Sequence, residues 1–287
     1  MFGPYIELID CQSLYNLLNE GIEYSKLCDT NYLYLIDCRE RSNYNEGHII
    51  CAKHMKKDSS SNEFRLLYES ELQCRNTIIV YDSNTSSLQD NGPANKCAKL
   101  LFENGSKNSV KILRGGYEAF SRHYPFLRTQ QIIYMPRELD QLKTYPSEII
   151  PGLLYLGNSR HGNDLNTRKE MKIKSFVDCS TTESSENQSE KSIDYLKIPI
   201  RDDPEESIKE YLQEAFNFID VNVKNRKQPC LVFSDLGISR SAAIVIAYLI
   251  YSEKLTLEES FERVTKCKKI QPQIKFLNEI REFFANR

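Results

Sequence analysis

The residues whose types and spacing could do chemistry lie in one run: Phe233-Ser234-Asp235-Leu236-Gly237-Ile238-Ser239-Arg240-Ser241. An apolar run, Cys230 to Phe233, predicts a buried strand, and apolar residues from Ala242 to about Tyr251 predict a helix. A strand, a short loop and a helix aim backbone N–H groups and the positive end of the helix dipole at one point. Gly237 gives the loop backbone angles that other residues resist. Arg240 can grip a phosphate with two parallel hydrogen bonds. The stretch Ser234 to Ser241 therefore predicts an anion cradle that binds phosphate. A serine hydroxyl is a weak nucleophile unless an adjacent base activates it, and Phe233 is no base. The loop is expected to hold phosphate without cleaving it. Asp235 conflicts with that expectation, because its carboxylate would repel a phosphate dianion if it pointed inward.

At 287 residues the chain is long enough for two domains. A net charge of −2 supplies no long-range field for nucleic acid or a membrane surface. No run approaches the ~18 apolar residues of a membrane span, and the N-terminal residues lack the regions of a signal peptide. The nine cysteines are scattered, with no Cys-x-x-Cys pair and no zinc spacing. No metal and no cofactor are expected, and reduced thiols point to a cytoplasmic protein.

In the first half, Leu33 to Asp37, Thr77 to Tyr81 and Val110 to Leu113 read as strands. Ala94, Cys97, Ala98 and Leu101 have helical spacing between the last two. Strand, crossover helix, strand predicts a parallel sheet. Three matches in order, Ile36-Asp37-x-Arg39, Gly47-His48-Ile49 and Leu113-Arg114-Gly115-Gly116-Tyr117-Glu118-Ala119-Phe120, resemble the rhodanese family. The family's sulfur-carrying cysteine follows the strand that here ends at Tyr81, and Asp82 stands there. Persulfide chemistry is thereby excluded on that loop. Asp37, Arg39 and His48 read as structural, making buried turn hydrogen bonds.

In the second half, Tyr145 to Asn158, Ser175 to Asp178 and Leu196 to Ile200 supply further strands. Ser207 with Glu210, and Thr256 with Glu259, have capping-box spacing at the starts of two helices. The loop at 233–241 resembles the phosphate loop of the cysteine-dependent phosphatases, His-Cys-x-x-Gly-x-x-Arg-Ser/Thr, and its tail Gly-Ile-Ser-Arg-Ser resembles the dual-specificity branch. In that family a cysteine of pKa ~8.5 is pushed to the thiolate by the cradle. Here Phe233 and Ser234 replace the His and the Cys. The resemblance places the leaving-group acid at Asp202, with Asp203 as runner-up.

A rhodanese domain before a dual-specificity phosphatase domain is the arrangement of the MAP-kinase phosphatases. The Phe-Ser pair narrows the resemblance to their inactive, serine/threonine/tyrosine-interacting-like branch. The run Leu127-Arg128-Thr129-Gln130-x-Ile132-Ile133, with Met135-Pro136-x-Glu138-Leu139-Asp140, supports it. The expected fold is α/β, each domain a mainly parallel sheet flanked by helices: a rhodanese-like domain over 1–128, a connector over 129–144 and a phosphatase-like domain over 145–287. The resemblance implies a pseudophosphatase that binds or regulates phosphoproteins, protein kinases or active phosphatases. In the family the first domain docks a kinase through a basic cluster, and Lys53, Lys56 and Lys57 are the candidates. The alternative is a weakly active phosphatase using Ser234 or a relocated cysteine. Cys230 should face away from the loop, and Cys179 ends another strand, away from Arg240.

Overall fold

The structure is a computed structural model. It describes residues 5–285 apart from 23, 59–62, 66–68, 134, 135, 182–192 and 204. Two compact units emerge, one of residues 1–18 and 25–142, the other of residues 19–24 and 143–287. The stretch expected to connect the domains thus groups with the first unit as far as Leu142.

In chain order the first unit holds β1 (Ile6–Ile9), α1 (Cys11–Leu18), β2 (Leu33–Asp37), α2 (Arg41–Glu46), β3 (His48–Ile49), β4 (Lys53–His54) and β5 (Thr77–Tyr81). It continues with α3 (Pro93–Glu103), β6 (Val110–Leu113), α4 (Gly116–His123), β7 (Arg128–Thr129) and α5 (Pro136–Leu139). Its main sheet has the order β1-β6-β5-β2-β4, every neighbour parallel. Strands buried on both faces read as continuous apolar runs, as Ile78 to Tyr81 does. Helix α3 lays Ala94, Cys97, Ala98 and Leu101 against Ile36, Ile78, Val80 and Ile112 in one core.

The second unit holds β8 (Ser147–Ile150), β9 (Leu154–Asn158), α6 (Ser159–Asn163), α7 (Leu165–Glu170), β10 (Ser175–Asp178) and β11 (Asp194–Lys197). Then come α8 (Leu212–Asp220), β12 (Cys230–Ser234), α9 (Arg240–Glu253), α10 (Leu257–Cys267) and α11 (Ile274–Ala285). The sheet order is β11-β10-β12-β9-β8, parallel except for the antiparallel edge pair β8–β9. Strand β12 lies in the middle with all five residues buried. Helix α9 is buried continuously from Arg240 to Leu249, packed between the sheet and its flanking helices. Apolar residues on every side are what such a helix requires. Both halves have the expected α/β architecture.

Two helix starts expected from sequence diverge. Thr256 forms its capping box, accepting from Glu259 N while the Glu259 carboxylate accepts from Thr256 N. Ser207 and Glu210 form none, a correction to the expectation. The Ser207 hydroxyl accepts instead from Lys209 N at 3.3 Å, Ile208 N donates to Glu279 on α11 at 2.8 Å, and the regular helix begins only at Leu212. The apolar strand expected over Leu196 to Ile200 ends at Lys197, although Ile198 and Ile200 remain buried. The Ser- and Glu-rich polar stretch 180–192, which reads as a surface loop, lies almost wholly outside the described residues, as do 134 and 135 at the end of the apolar residues that begin with Ile132.

Candidate functional site

Strand β12 delivers Ser234 to the carboxyl end of the parallel sheet, and α9 opens six residues later at Arg240. In parallel α/β sheets this end is where ligands bind. The turn between them needs Gly237, whose φ is +70°. A Cβ there would lie 2.2 Å from the carbonyl oxygen of Gly157 on β9, so no other residue fits without displacing that strand. The Asp235 carbonyl accepts from Ser159 N at the start of α6, and the Ile238 carbonyl accepts from Gln271 N. The loop is thus tied to two other segments through its own backbone.

At the nucleophile position, Ser234 is buried and its Oγ lies 2.9 Å from Ser241 Oγ. No imidazole or carboxylate partner of that hydroxyl is present among the described residues. Phe233 is fully buried, edge-on to Phe176 at 6.5 Å between ring centroids. Its ring fills the space over Gly162, where a Cβ would approach it to 2.6 Å.

Arg240 is 5% exposed. Its Nη1 donates to the carbonyls of Cys179, 2.9 Å, and Ile200, 3.2 Å, at the ends of two segments that flank the loop. Its Nη2 donates to Asp235 Oδ2 at 2.5 Å. The same carboxylate oxygen accepts from the backbone N–H and hydroxyl of Thr181, at 3.4 and 3.3 Å. Asp235 therefore turns onto the arginine rather than away from it. Burial alone would raise its carboxyl, but the bond and charge of Arg240, with Thr181, hold it below the usual carboxylate range. Arg240 Nε is buried and makes no hydrogen bond among the described residues.

Of the two candidate acids, the structure brings Asp202 to the loop. Asp202 Oδ1 accepts from Ser239 Oγ and Gln273 Nε2, both at 2.8 Å, and its Oδ2 lies 4.0 Å from Arg240 Nε. Asp203 instead accepts from Glu205 N at 2.9 Å, capping its own turn. Cys179 stands nearer the loop than expected, since its carbonyl binds Arg240; this corrects the reading that separated them. Its thiol is fully buried, and burial pushes its pKa up. Cys230 is buried at the start of β12, its thiol pushed up to about 12, mainly by burial. Thr181, Gln273 and the two carbonyls escape a reading of the motif alone, because they come from distant segments.

In the first unit Asp82 follows β5 as expected. Its buried carboxylate accepts from Asn84 N, 3.2 Å, Thr85 N, 2.8 Å, Thr85 Oγ1, 2.6 Å, and Ala94 N, 3.1 Å. It shapes the loop and caps the first turn of α3. Asp37 grips Arg39 through both carboxylate oxygens, and Arg39 Nη2 continues to the Gly47 carbonyl at 2.7 Å. His48 lies between the carbonyls of Tyr44, 3.0 Å, and Gln131, 3.2 Å. Lys56 and Lys57 line a cleft of ≈ 370 Å³ with Arg41, Glu40, His54 and Asp58. Lys57 is ion-paired with Glu40. Lys53 is exposed on the edge strand β4 and does not line that cleft.

A parallel sheet that feeds its central strand through Gly-x-x-Arg into a buried helix defines a domain of the phosphate-loop phosphatase type. Comparison with known proteins agrees. Residues 154–286 match the family described as "Dual specificity phosphatase, catalytic domain", and residues 22–123 match "Rhodanese-like domain". The human "Dual specificity protein phosphatase 4" is 28% identical, over 87% of this chain and 72% of its own. The mouse "Dual specificity protein phosphatase 2" is 31% identical, over 70% of this chain and 68% of its own. Among solved structures, human tyrosine phosphatase-like serine/threonine/tyrosine-interacting protein is 26% identical over 50% of this chain and 98% of its own, with a TM-score of 0.45. The chain belongs to the dual-specificity phosphatase family and carries a rhodanese-like domain ahead of the phosphatase fold.

Proposed function

We infer that this chain is a catalytically inactive member of its family, a pseudophosphatase of the MAP-kinase-phosphatase type. It acts as a binding or regulatory module for phosphoproteins, protein kinases or active phosphatases. The observation that carries this reading is the pair at 233 and 234. A hydroxyl stands where a thiolate is needed, its neighbour is a buried phenyl ring, and its hydrogen bond goes to another hydroxyl. The loop Ser234 to Ser241 keeps the arginine, glycine and helix start of a phosphate cradle, so phosphorylated side chains are its ligand class. In the first domain, Asp82 is consumed by loop hydrogen bonds, and the basic cleft at Lys56 and Lys57 is the better docking candidate. Among the described residues no helix is long and apolar enough to cross a membrane. We place the protein's work in the cytoplasm, without metal or cofactor.

The test is hydrolysis of an aryl phosphate by the purified chain and by its Ser234→Ala variant. Equal rates, at the level of buffer, support the reading. A rate lost on that substitution establishes the alternative, a weak phosphatase using Ser234. A rate unchanged by Ser234→Ala but lost in Cys179→Ala assigns activity to a relocated cysteine.

A further inference from the structure

Arg240 is placed to hold an oxyanion, yet its Nη2 already holds one, the Asp235 carboxylate. That carboxylate is anchored a second time by Thr181, and its side chain is 33% exposed, at the solvent side of the loop. A second carboxylate, Asp202, is tied by Ser239 and Gln273 on the Nε side of the same guanidinium. One arginine charge therefore faces two carboxylates. A phosphate dianion entering the loop would meet a net negative surround and an arginine whose forward donor is taken. The buried Nε, which makes no hydrogen bond among the described residues, is the donor left for an incoming ligand. Its lack of a hydrogen bond has a cost that such a ligand would remove.

We propose that Asp235 is a built-in occupant of the phosphate cradle, a carboxylate latch that closes this loop to free phosphate and phosphorylated side chains until it is displaced. The proposal rests on the binding-module reading and specifies how its site is regulated. While the latch is closed, the protein meets its partners without reading their phosphate. Whatever draws Asp235 and Thr181 away from Arg240 opens the site to phosphoryl groups. No covalent step is involved, only the exchange of one oxyanion for another on Arg240.

The test is titration of the full chain with inorganic phosphate and with tungstate, read by calorimetry and by tyrosine fluorescence. Asp235→Asn keeps the side chain's shape and removes its charge. It should bind both anions roughly ten- to a hundredfold more tightly than wild type, the worth of one charge-assisted hydrogen bond. Thr181→Val loosens the latch from outside the loop and should give a smaller gain in the same direction. Adding Arg240→Gln to Asp235→Asn should remove the gain. Circular dichroism establishes that each variant is folded, and Thr181→Val serves if a loop variant is not. No gain in either latch variant overturns the proposal, whether wild type already binds tightly or none of the three binds. That failure is distinct from failure of the functional reading, which falls only on turnover and is measured in wild type.

Discussion

Asp235 and Arg240, five residues apart on one loop, are bonded to each other at 2.5 Å, so the loop's arginine is an internal structural tie. The same guanidinium binds two backbone carbonyls. Arg240→Gln would leave Asp235 without its charged partner and at least one carbonyl without a donor. Breaking one side of a buried ion pair costs ~3–5 kcal/mol. Asp235 is one-third exposed and can recover water, so a loss near the lower end, about 3 kcal/mol, is expected in urea unfolding. Arg240→Lys should recover little of it, because one ammonium cannot serve both carbonyls and the carboxylate. A variant as stable as wild type would show the tie to be incidental.

The first domain offers the parallel case. Asp82 stands where the rhodanese resemblance leads one to expect the sulfur-carrying cysteine, and three backbone N–H groups donate to it. Asp82→Ala should destabilise the chain by about 2–4 kcal/mol, since an unsatisfied buried donor costs ~1–3 kcal/mol and the turn reopens part of the site to water. Asp82→Cys should yield no thiocyanate from thiosulfate and cyanide, because the thiol cannot satisfy those donors and the loop will not hold its shape. Turnover by Asp82→Cys would mean that the loop amides are organised by something other than the carboxylate.

Stability should fall with pH through His161. Burial, and next the nearby Lys268, push its folded pKa down to about 3 from an ordinary 6.5. Its Nδ1 accepts from Asn158 N at 3.2 Å, which requires the neutral ring. The unfolded chain takes up a proton below 6.5 and the folded chain does not. The contribution is therefore complete above pH 6.5 and is lost progressively as pH falls toward about 3. His161→Gln should flatten the stability profile across that window by up to one proton. Identical slopes in both proteins would refute the assignment.

How much of this was legible in the sequence depends on how local the cause is. Strands β5 and β12 are uninterrupted apolar runs, and such runs report burial directly. The Thr256 box formed because both partners lie within one turn. The Ser207 box did not: the Ser207 hydroxyl accepts from Lys209 N at 3.3 Å in a tighter local turn, and Ile208 N is held by Glu279, 71 residues away. The direction of Asp235 was likewise unreadable. Its partner Thr181 is 54 residues away, and the carbonyls that fix Arg240 come from positions 61 and 40 residues earlier. The choice between Asp202 and Asp203 turned on Gln273, 71 residues on.

If Lys53, Lys56 and Lys57 dock a kinase, they should not contribute equally. Lys57 is already ion-paired with Glu40, and Lys53 is outside the cleft that Lys56 helps to line. Lys56→Ala should weaken the complex more than Lys53→Ala, with a difference that shrinks at high salt. Equal capture of a kinase by wild type and by the triple alanine variant would leave all three as surface charge.

The missing chemistry should be restorable in steps, and the order of the steps is set by the structure. Ser234→Cys alone should give little hydrolysis of an aryl phosphate, because Phe233 leaves the thiol without the neighbouring His and Asp235 still occupies Arg240. Adding Phe233→His should give measurable turnover, at some cost in stability, since an imidazole would replace a ring packed on Phe176 and Gly162. Adding Asp235→Ala to that pair should raise the rate again, by freeing Arg240 to orient the phosphoryl group. Ser241, whose hydroxyl is 2.9 Å from the nucleophile position, is placed to stabilise the new thiolate as it leaves. In the triple variant Asp202→Ala should cut the rate by ~10²–10⁴, the usual worth of a general acid, and cost least where the leaving group needs no proton. Asp203→Ala should be mild, because that carboxylate caps Glu205. If the triple variant folds, binds tungstate and remains inert, the cradle is present but the acid is misplaced, and Asp202 is only the structural partner of Ser239 and Gln273.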